Sequence, residues 1–266
     1  MKIHSTAIVD PAAELDSSVT VGPYVIIEKG VTIGRDSIIQ PHSVISGPTT
    51  IGSGNSIGPF ATIGAPPQDL KYQGEDTELV IGDNNQIREY VSIHRGTVTD
   101  KGVTSIGNGN LLMGYVHIAH DCVIGNSAIL ANAATLAGHV QVDDFAILGG
   151  LVAIHQFSRI GAHSYIGGIS GISKDVPPFI IVSGTRKHMR VSGINKVGLR
   201  RRGFDNDSIK KLDRVYRIIF MTPDLLLQEA LEQAAREVPD CEPVAQLIDF
   251  FRSSKQGVIR TVEGDE

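Results

Sequence analysis

The sequence predicts an all-β solenoid plus α: a parallel β-helix of hexapeptide repeats followed by a C-terminal α-helical domain. Three observations carry this. Aliphatic residues recur every six positions, glycine often follows them, and the period switches to three and four after Pro177-Pro178. Composition agrees, because aromatics are 5%, Trp is absent and Gly numbers 29. Such a chain must build its core from many small side chains in regular layers.

The beat starts at Val9 and continues through Leu15, Val21, Ile27, Ile33, Ile39, Ile45, Ile51, Ile57 and Ile63. Glycine follows at Gly22, Gly34, Gly52, Gly58 and Gly64, and a small or β-branched residue stands four after the aliphatic one, as at Val25, Ser37 and Ala61. An amphipathic helix needs apolar positions three and four apart, and a simple strand needs alternation. A sustained hexad instead reads as a short strand plus a corner, with coils stacked about 4.8 Å apart.

The beat breaks twice. It is lost after Ile63 and returns at Ile81, Ile87 and Ile93; between His94 and Ser105 it is lost again and the phase slips. Loops at 64–80 and 94–105 are therefore thrown out from a rigid coil, a place where function concentrates. From Ile106 the ladder runs every sixth residue to Ile172, and Cys122 falls on an interior position of it. A structural thiol is the expected role there.

The domains divide at 1–184 for the coil and 185–266 for the helical part. Ile209, Leu212, Val215, Tyr216, Ile219 and Phe220 form a helical stripe. Thr222-Pro223-Asp224 reads as the start of a second helix running to Glu237, with Thr222 as N-cap. Glu242 to Ser254 reads as a third.

Net charge is −5, which disfavours nucleic acid as a partner. Against that balance, eleven Lys or Arg and only three acids lie between Arg186 and Arg217. A run such as Arg200-Arg201-Arg202 is usually a solvated face, but its extension by Lys210, Lys211, Arg214 and Arg217 favours docking of an acidic partner. The two cysteines, Cys122 and Cys241, have no metal-type spacing, and the N-terminus lacks an apolar signal region. No apolar run approaches a membrane span, so a soluble cytoplasmic protein is expected.

If three hexads make one coil, positions eighteen apart stack. His120 then lies under Gly138 and Gln156, with His139 and His155 beside those two positions and His117 on the same boundary. One histidine at a corner is ordinarily a solvated polar residue; four on one edge suggest a site. A metal centre competes, since histidines are common ligands. Three histidines on successive coils make a line rather than a tripod, and no acid joins them at ligand spacing, so acid–base chemistry ranks above metal. An imidazole titrates near neutrality and can take a proton from a hydroxyl, with Asp121 fixing its tautomer. Gly138 offers an unobstructed backbone N–H as oxyanion donor. The set fits acyl transfer by direct attack, with no covalent intermediate. A metal-dependent lyase and a purely structural solenoid are the rivals from other classes.

Several stretches carry a resemblance: Gln68-Asp69-Leu70-Lys71-Tyr72, Ile93-His94-Arg95-Gly96-Thr97, His117 to Asp121, Leu136-Ala137-Gly138-His139, His155-Gln156-Phe157 and Arg201-Arg202-Gly203-Phe204. Together, and in this order, the chain resembles the UDP-N-acetylglucosamine acyltransferase family that opens lipid A biosynthesis. The resemblance implies a left-handed coil, against the usual crossover rule, and a homotrimer with sites between subunits. It implies transfer of a 3-hydroxyacyl chain from acyl carrier protein to the sugar 3-hydroxyl, with the carrier thioester as co-substrate and neither cofactor nor metal. It further implies His120 as general base, Asp121 as its assistant and Gly138 as oxyanion donor. Substrate contacts would come from Asp69, Lys71, His117, His139, His155, Gln156, Asn195, Arg201 and Arg202. Gly168 matches the position that limits acyl length. An N-acyltransferase acting on an amino-sugar amine stays open beside the O-acyltransferase.

Overall fold

A computed structural model describes residues 2–185 and 188–262. Arg186 and Lys187 of the basic stretch lie outside them. The described chain is a three-sided, left-handed parallel β-helix followed by four helices. Its faces are sheets of 11, 9 and 8 strands, each strand short. The hexad is visible in the pairing: Val123 pairs with Gln141 and Gln141 with Arg159, while Ile118, Leu136, Ile154 and Ile172 form one inner column. Each of these aliphatic residues is buried, as are Cys122, Ala128 and Ala134 on the small-residue positions. Full burial of one such aliphatic side chain contributes about 1.5–3 kcal/mol.

Corners turn through left-handed backbone. Asp121, His139 and Phe157 have φ of 60°, 62° and 65°, stacked one above the other. The two loops are shorter than the broken beat suggests, because the flanking strands extend to Thr62–Ala65, Glu78–Ile81, Ser92–His94 and Val103–Ile106. An interior ladder keeps the coils in register across both interruptions. Asn55 Oδ1 accepts from Asn85 N and Nδ2, and Asn85 Oδ1 accepts in the same way from Asn110. All three are buried, so their bonds satisfy polar groups that burial alone would penalise.

The expected division after residue 184 falls inside a hairpin. Strand Ile180–Ser183 pairs antiparallel with Arg190–Ile194, so the sheet continues ten residues further before α1 (Lys196–Arg201). Val182 and Val191 are buried in this hairpin; too short to display a hexad, it leaves no repeat in the sequence. Three longer helices follow: α2 (Asn206–Met221), α3 (Leu227–Glu237) and α4 (Glu242–Ser253). Thr222 does not cap α3 as the sequence suggests. It ends α2, and the N-cap of α3 is Leu226, whose N–H donates to Glu229 Oε2. The carboxylate three residues on, rather than a hydroxyl, supplies the bond there.

Phe179, Leu199, Leu212, Ile219 and Phe251 join the same apolar cluster as the coil interior. The helices thus close the C-terminal end of the solenoid, which would otherwise expose strand edges. Much of the basic stretch is paired within this cap: Lys196 with Asp213, Lys211 with Asp207 and Arg214 with Glu237. Arg202 lies over the Phe145 ring at 4.7 Å. Arg200, Arg201 and Lys210 have no ion pair among the described residues.

Candidate active site

At the corner after strand His117–Ile118 the backbone turns at Asp121, and this turn places His120 and Asp121 side by side. His120 Nδ1 stands 2.8 Å from Asp121 Oδ2. The second loop secures the carboxylate: Thr97 N donates to Oδ1 at 2.9 Å and Thr97 Oγ1 to Oδ2 at 2.6 Å. Asp121 N in turn donates to Thr104 Oγ1 at 2.8 Å. A carboxylate so held is a fixed acceptor, and it selects the tautomer of His120 with the proton on Nδ1 and a free lone pair on Nε2.

One coil further along, Gly138 stacks against the His120 ring. A Cβ there would meet His120 Cε1 at 2.6 Å and Nε2 at 2.8 Å, so only glycine lets the imidazole lie where it does. The Gly138 N–H has no backbone acceptor among the described residues. His139 meets the His120 ring edge-on at 5.1 Å, stacks on Phe157 at 4.4 Å, and places Nδ1 3.1 Å from Asp100 Oδ2.

His120, His139, Asp100 and Phe157 line a cavity of about 950 Å³ together with Gln68, Asp69, Leu70, Lys71, Thr99 and Gln156. The first loop reaches it because His94 and Arg95 anchor its base. His94 Nδ1 lies 2.6 Å from Pro66 O, and the buried Arg95 guanidinium donates to Gly47 O, Gly64 O and Tyr72 Oη. Asp69 Oδ1 accepts from Lys71 N, which shapes the loop tip.

The structure therefore brings together His120, Asp121, Gly138, Asp69, Lys71, His139 and Gln156 of the residues expected from the sequence. His117 lies behind them, half-buried, with Nδ1 2.8 Å from Ser92 Oγ; burial and then His94 hold its pKa below the ordinary histidine value. His155 turns away to a second cavity beside Ser173, Lys174 and Met189. Gly168 sits at a different corner, against Gly150. Asn195 is buried, with Oδ1 accepting from Gly198 N at the start of α1 and Nδ2 donating to His163 O. Arg201 and Arg202 are exposed on the cap, and neither lines the His120 cavity within one chain.

Two features escaped sequence reasoning. Thr97 holds the partner of His120 and Asp100 is the partner of His139; Thr97 had stood only at the end of a stretch that carries the resemblance, and the one signal at Asp100 was membership of a loop that interrupts the repeat. The second feature corrects the linear arrangement of histidines: Asp121 and His139 converge on His120, and one ligand-type atom from each lies within 4.8 Å of the others. The left-handed corner redirects Asp121 and His139 toward each other, which an eighteen-residue stacking scheme drawn on a flat edge does not capture. Cys122 behaves as expected: burial pushes its thiol up to about 12, and it donates to Ala137 O.

Coil and corner together define a transferase of the bacterial hexapeptide class, and the family model described as bacterial transferase hexapeptide matches residues 12–47, 30–65 and 104–138. A second model, UDP-N-acetylglucosamine O-acyltransferase domain 2, matches 175–259. The acyl-[acyl-carrier-protein]–UDP-N-acetylglucosamine O-acyltransferase of Thermodesulfovibrio yellowstonii is 53% identical over 259 residues, covering 97% of this chain and 99% of that one. The structure of LpxA from Acinetobacter baumannii superposes with a TM-score of 0.92 at 46% identity, over 97% of this chain and 99% of that one. UDP-N-acetylglucosamine O-acyltransferase from Moraxella catarrhalis gives 0.93 at 46% identity, over 98% and 100%. The chain belongs to the UDP-N-acetylglucosamine O-acyltransferase family.

Proposed function

We propose that this protein transfers a 3-hydroxyacyl chain from acyl carrier protein to the 3-hydroxyl of UDP-N-acetylglucosamine, the first step of lipid A synthesis, with His120 as general base. The observation that carries the mechanism is the Thr97–Asp121–His120 relay beneath Gly138. The acceptor hydroxyl gives its proton to His120 Nε2 as its oxygen attacks the thioester carbonyl. The developing oxyanion takes a hydrogen bond from the Gly138 N–H. The C–S bond then breaks, and the imidazolium returns the proton to the departing thiolate. Neither a protein nucleophile nor a cofactor is needed, and Asp121 stabilises the positive charge that His120 acquires between the two proton transfers.

Asp69, Lys71, His139 and Gln156 form the sugar and nucleotide side of the cavity, and His117 backs it. Residues that one chain keeps away from His120 are supplied by a neighbour in a homotrimer: Gly168 at the acyl groove, His155, Arg201 and Arg202 at the acidic substrates, with Asn195 positioning α1. An exposed apolar edge supports this assembly. Tyr24, His42, Phe60, Tyr90 and Tyr115 stack ring on ring along one corner, and Leu151 and Ile169 continue it, 63% and 75% exposed. An apolar ridge of that length marks a surface another chain covers. The unpaired Arg200, Arg201 and Lys210 of the cap suit an acidic carrier protein. Among the described residues no helix is long and apolar enough to cross a membrane, and we place the protein in the cytoplasm, where both cysteines stay free.

The test combines purified protein, UDP-N-acetylglucosamine and a panel of 3-hydroxyacyl carrier proteins, with products weighed by mass spectrometry. An acylated nucleotide sugar cleaved by mild alkali is the expected product. An alkali-stable amide formed from the 3-amino analogue of that sugar, offered as a second acceptor, with no product from UDP-N-acetylglucosamine, would instead mark an N-acyltransferase, and no product with any donor and either acceptor would end the reading.

A further inference from the structure

We infer that the His120–Asp121–His139 corner is a binding site for a zinc-type divalent cation, and that the bound ion switches the enzyme off. The inhibitory half of this rests on His120 being the base; the binding half stands on geometry alone.

Asp121 Oδ2 lies 2.8 Å from His120 Nδ1 and 3.8 Å from His139 Nε2. Ligand atoms at the corners of a tetrahedral zinc site, with bonds of about 2.0–2.1 Å, stand about 3.3 Å apart. The two distances bracket that spacing, and with all three ligand atoms within 4.8 Å of one another, side-chain rotations of about an ångström bring them to three ligand positions. The gap between Asp121 and His139 suits a small cation. In the tautomer whose Nδ1 proton goes to Asp100, His139 turns a bare Nε2 toward a carboxylate oxygen, and 3.8 Å is too long for a hydrogen bond. Two electron-rich atoms facing each other across that gap are satisfied by a cation shared between them.

The outer partners of a metal site are already in place. Asp100 holds the far nitrogen of His139, in the carboxylate–histidine–metal pattern that fixes a ligating imidazole, and Phe157 stacks on its ring. Thr97 fixes both oxygens of Asp121. The three side chains are 16%, 1% and 14% exposed, so their charges interact in a medium well below the dielectric of water. Asp69 and Asp100 also line the cavity, against the single ammonium of Lys71. Its open side leaves a fourth position for water. Two imidazoles and one carboxylate suit zinc, whereas magnesium requires mostly oxygen ligands.

Inhibition follows from the atom that the metal takes. An ion on His120 Nδ1 displaces the proton bonded to Asp121 and moves it to Nε2. There it occupies the lone pair that the base must offer to the acceptor hydroxyl. Zinc and catalysis then compete for one imidazole.

Equilibrium dialysis of the intact protein against micromolar zinc, read by atomic absorption, tests the site without turnover. Wild type should hold one zinc per chain. His139→Gln and His120→Gln, checked for unchanged melting temperature, should bind at least tenfold more weakly, and Asp100→Asn several-fold more weakly. Millimolar magnesium should not displace the ion. In parallel, acyl transfer should fall with zinc occupancy and recover fully with EDTA. Zinc binding no tighter in wild type than in His139→Gln, or a transfer rate indifferent to bound zinc, overturns the inference and leaves the acyltransferase reading intact. A protein that binds zinc through these residues but transfers no acyl chain would remove the reading and keep the site.

Discussion

Asp121 and Thr97 are twenty-four residues apart, yet the threonine meets both carboxylate oxygens, with N at 2.9 Å and Oγ1 at 2.6 Å. Through this pair of hydrogen bonds the second loop, rather than the repeat, fixes the partner of the proposed base. Thr97→Val removes the hydroxyl while keeping shape and the backbone bond. A hydrogen bond to a charged group is worth about 1.5–3 kcal/mol, so the melting temperature should drop by a few degrees and kcat should fall about tenfold or more, while Thr97→Ser, which keeps the hydroxyl, should restore both. Steady-state kinetics and a thermal melt on the same sample check this; an unchanged kcat would free the base from the relay.

Gly138 admits no Cβ beside His120, where 2.6 Å would separate it from Cε1. Gly138→Ala should therefore tilt the imidazole and cost activity on the order of 100-fold, as displacements of about 1 Å do in catalytic sites. Its backbone lies outside the left-handed region, so the fold should survive. Circular dichroism like that of wild type with lost turnover is the expected outcome; wild-type turnover would remove the close stacking from the account.

Arg95 is buried without a carboxylate partner among the described residues and binds three oxygens around the base of the first loop. Arg95→Met leaves those acceptors without their donor, at a cost of about 1–3 kcal/mol each where water cannot replace it. Because Asp69 and Lys71 ride on that loop, KM for the nucleotide sugar should rise as well. Urea unfolding and acceptor titration read the two effects, and a KM equal to that of wild type would detach Arg95 from substrate binding.

His117 and His163 both have pKa values held down, chiefly by burial, with His94 adding to the first and Arg202 to the second. In each case the unfolded chain takes up a proton first as pH falls. The stability contributed by the neutral forms is complete above the ordinary histidine value of about 6.5 and is lost as pH drops through the depressed values. Urea midpoints should be level above neutrality and decline below about pH 6.5. His117→Gln should flatten that decline, and an equal slope in the variant would contradict the assignment.

Burial raises the Cys122 thiol to about 12, which makes it inert in the folded state. Ellman's reagent at pH 8 should leave Cys122 unmodified until denaturant is added. Rapid labelling of Cys122 in the native protein, located by peptide mass mapping, would show that the coil interior opens.

Much of this architecture was legible because the repeat converts sequence distance into space. Counting eighteen from His120 reaches Gly138, and the two do stack. Counting fails where the coil is interrupted, so the contacts of Thr97 and Asp100 with the site could not be read from the repeat. The same limit concealed the Asn55–Asn85–Asn110 ladder, whose members are 30 and 25 residues apart. The hairpin joining coil to cap is too short to show a period. Thr222-Pro223 satisfied a helix-start pattern, yet the local bond that starts α3 comes from Glu229. Arg201, Arg202 and Gly168 were assigned to the site by resemblance, and the chain places them away from the His120 cavity.

The central claim is that His120 removes the acceptor proton. Single-turnover transfer from 3-hydroxyacyl carrier protein to UDP-N-acetylglucosamine, followed by mass spectrometry in wild type and His120→Ala, addresses it most directly. The account predicts a loss of about 100- to 10,000-fold in the chemical step, the range that a general base contributes, with acceptor binding retained. Transfer by His120→Ala at the wild-type rate would contradict it.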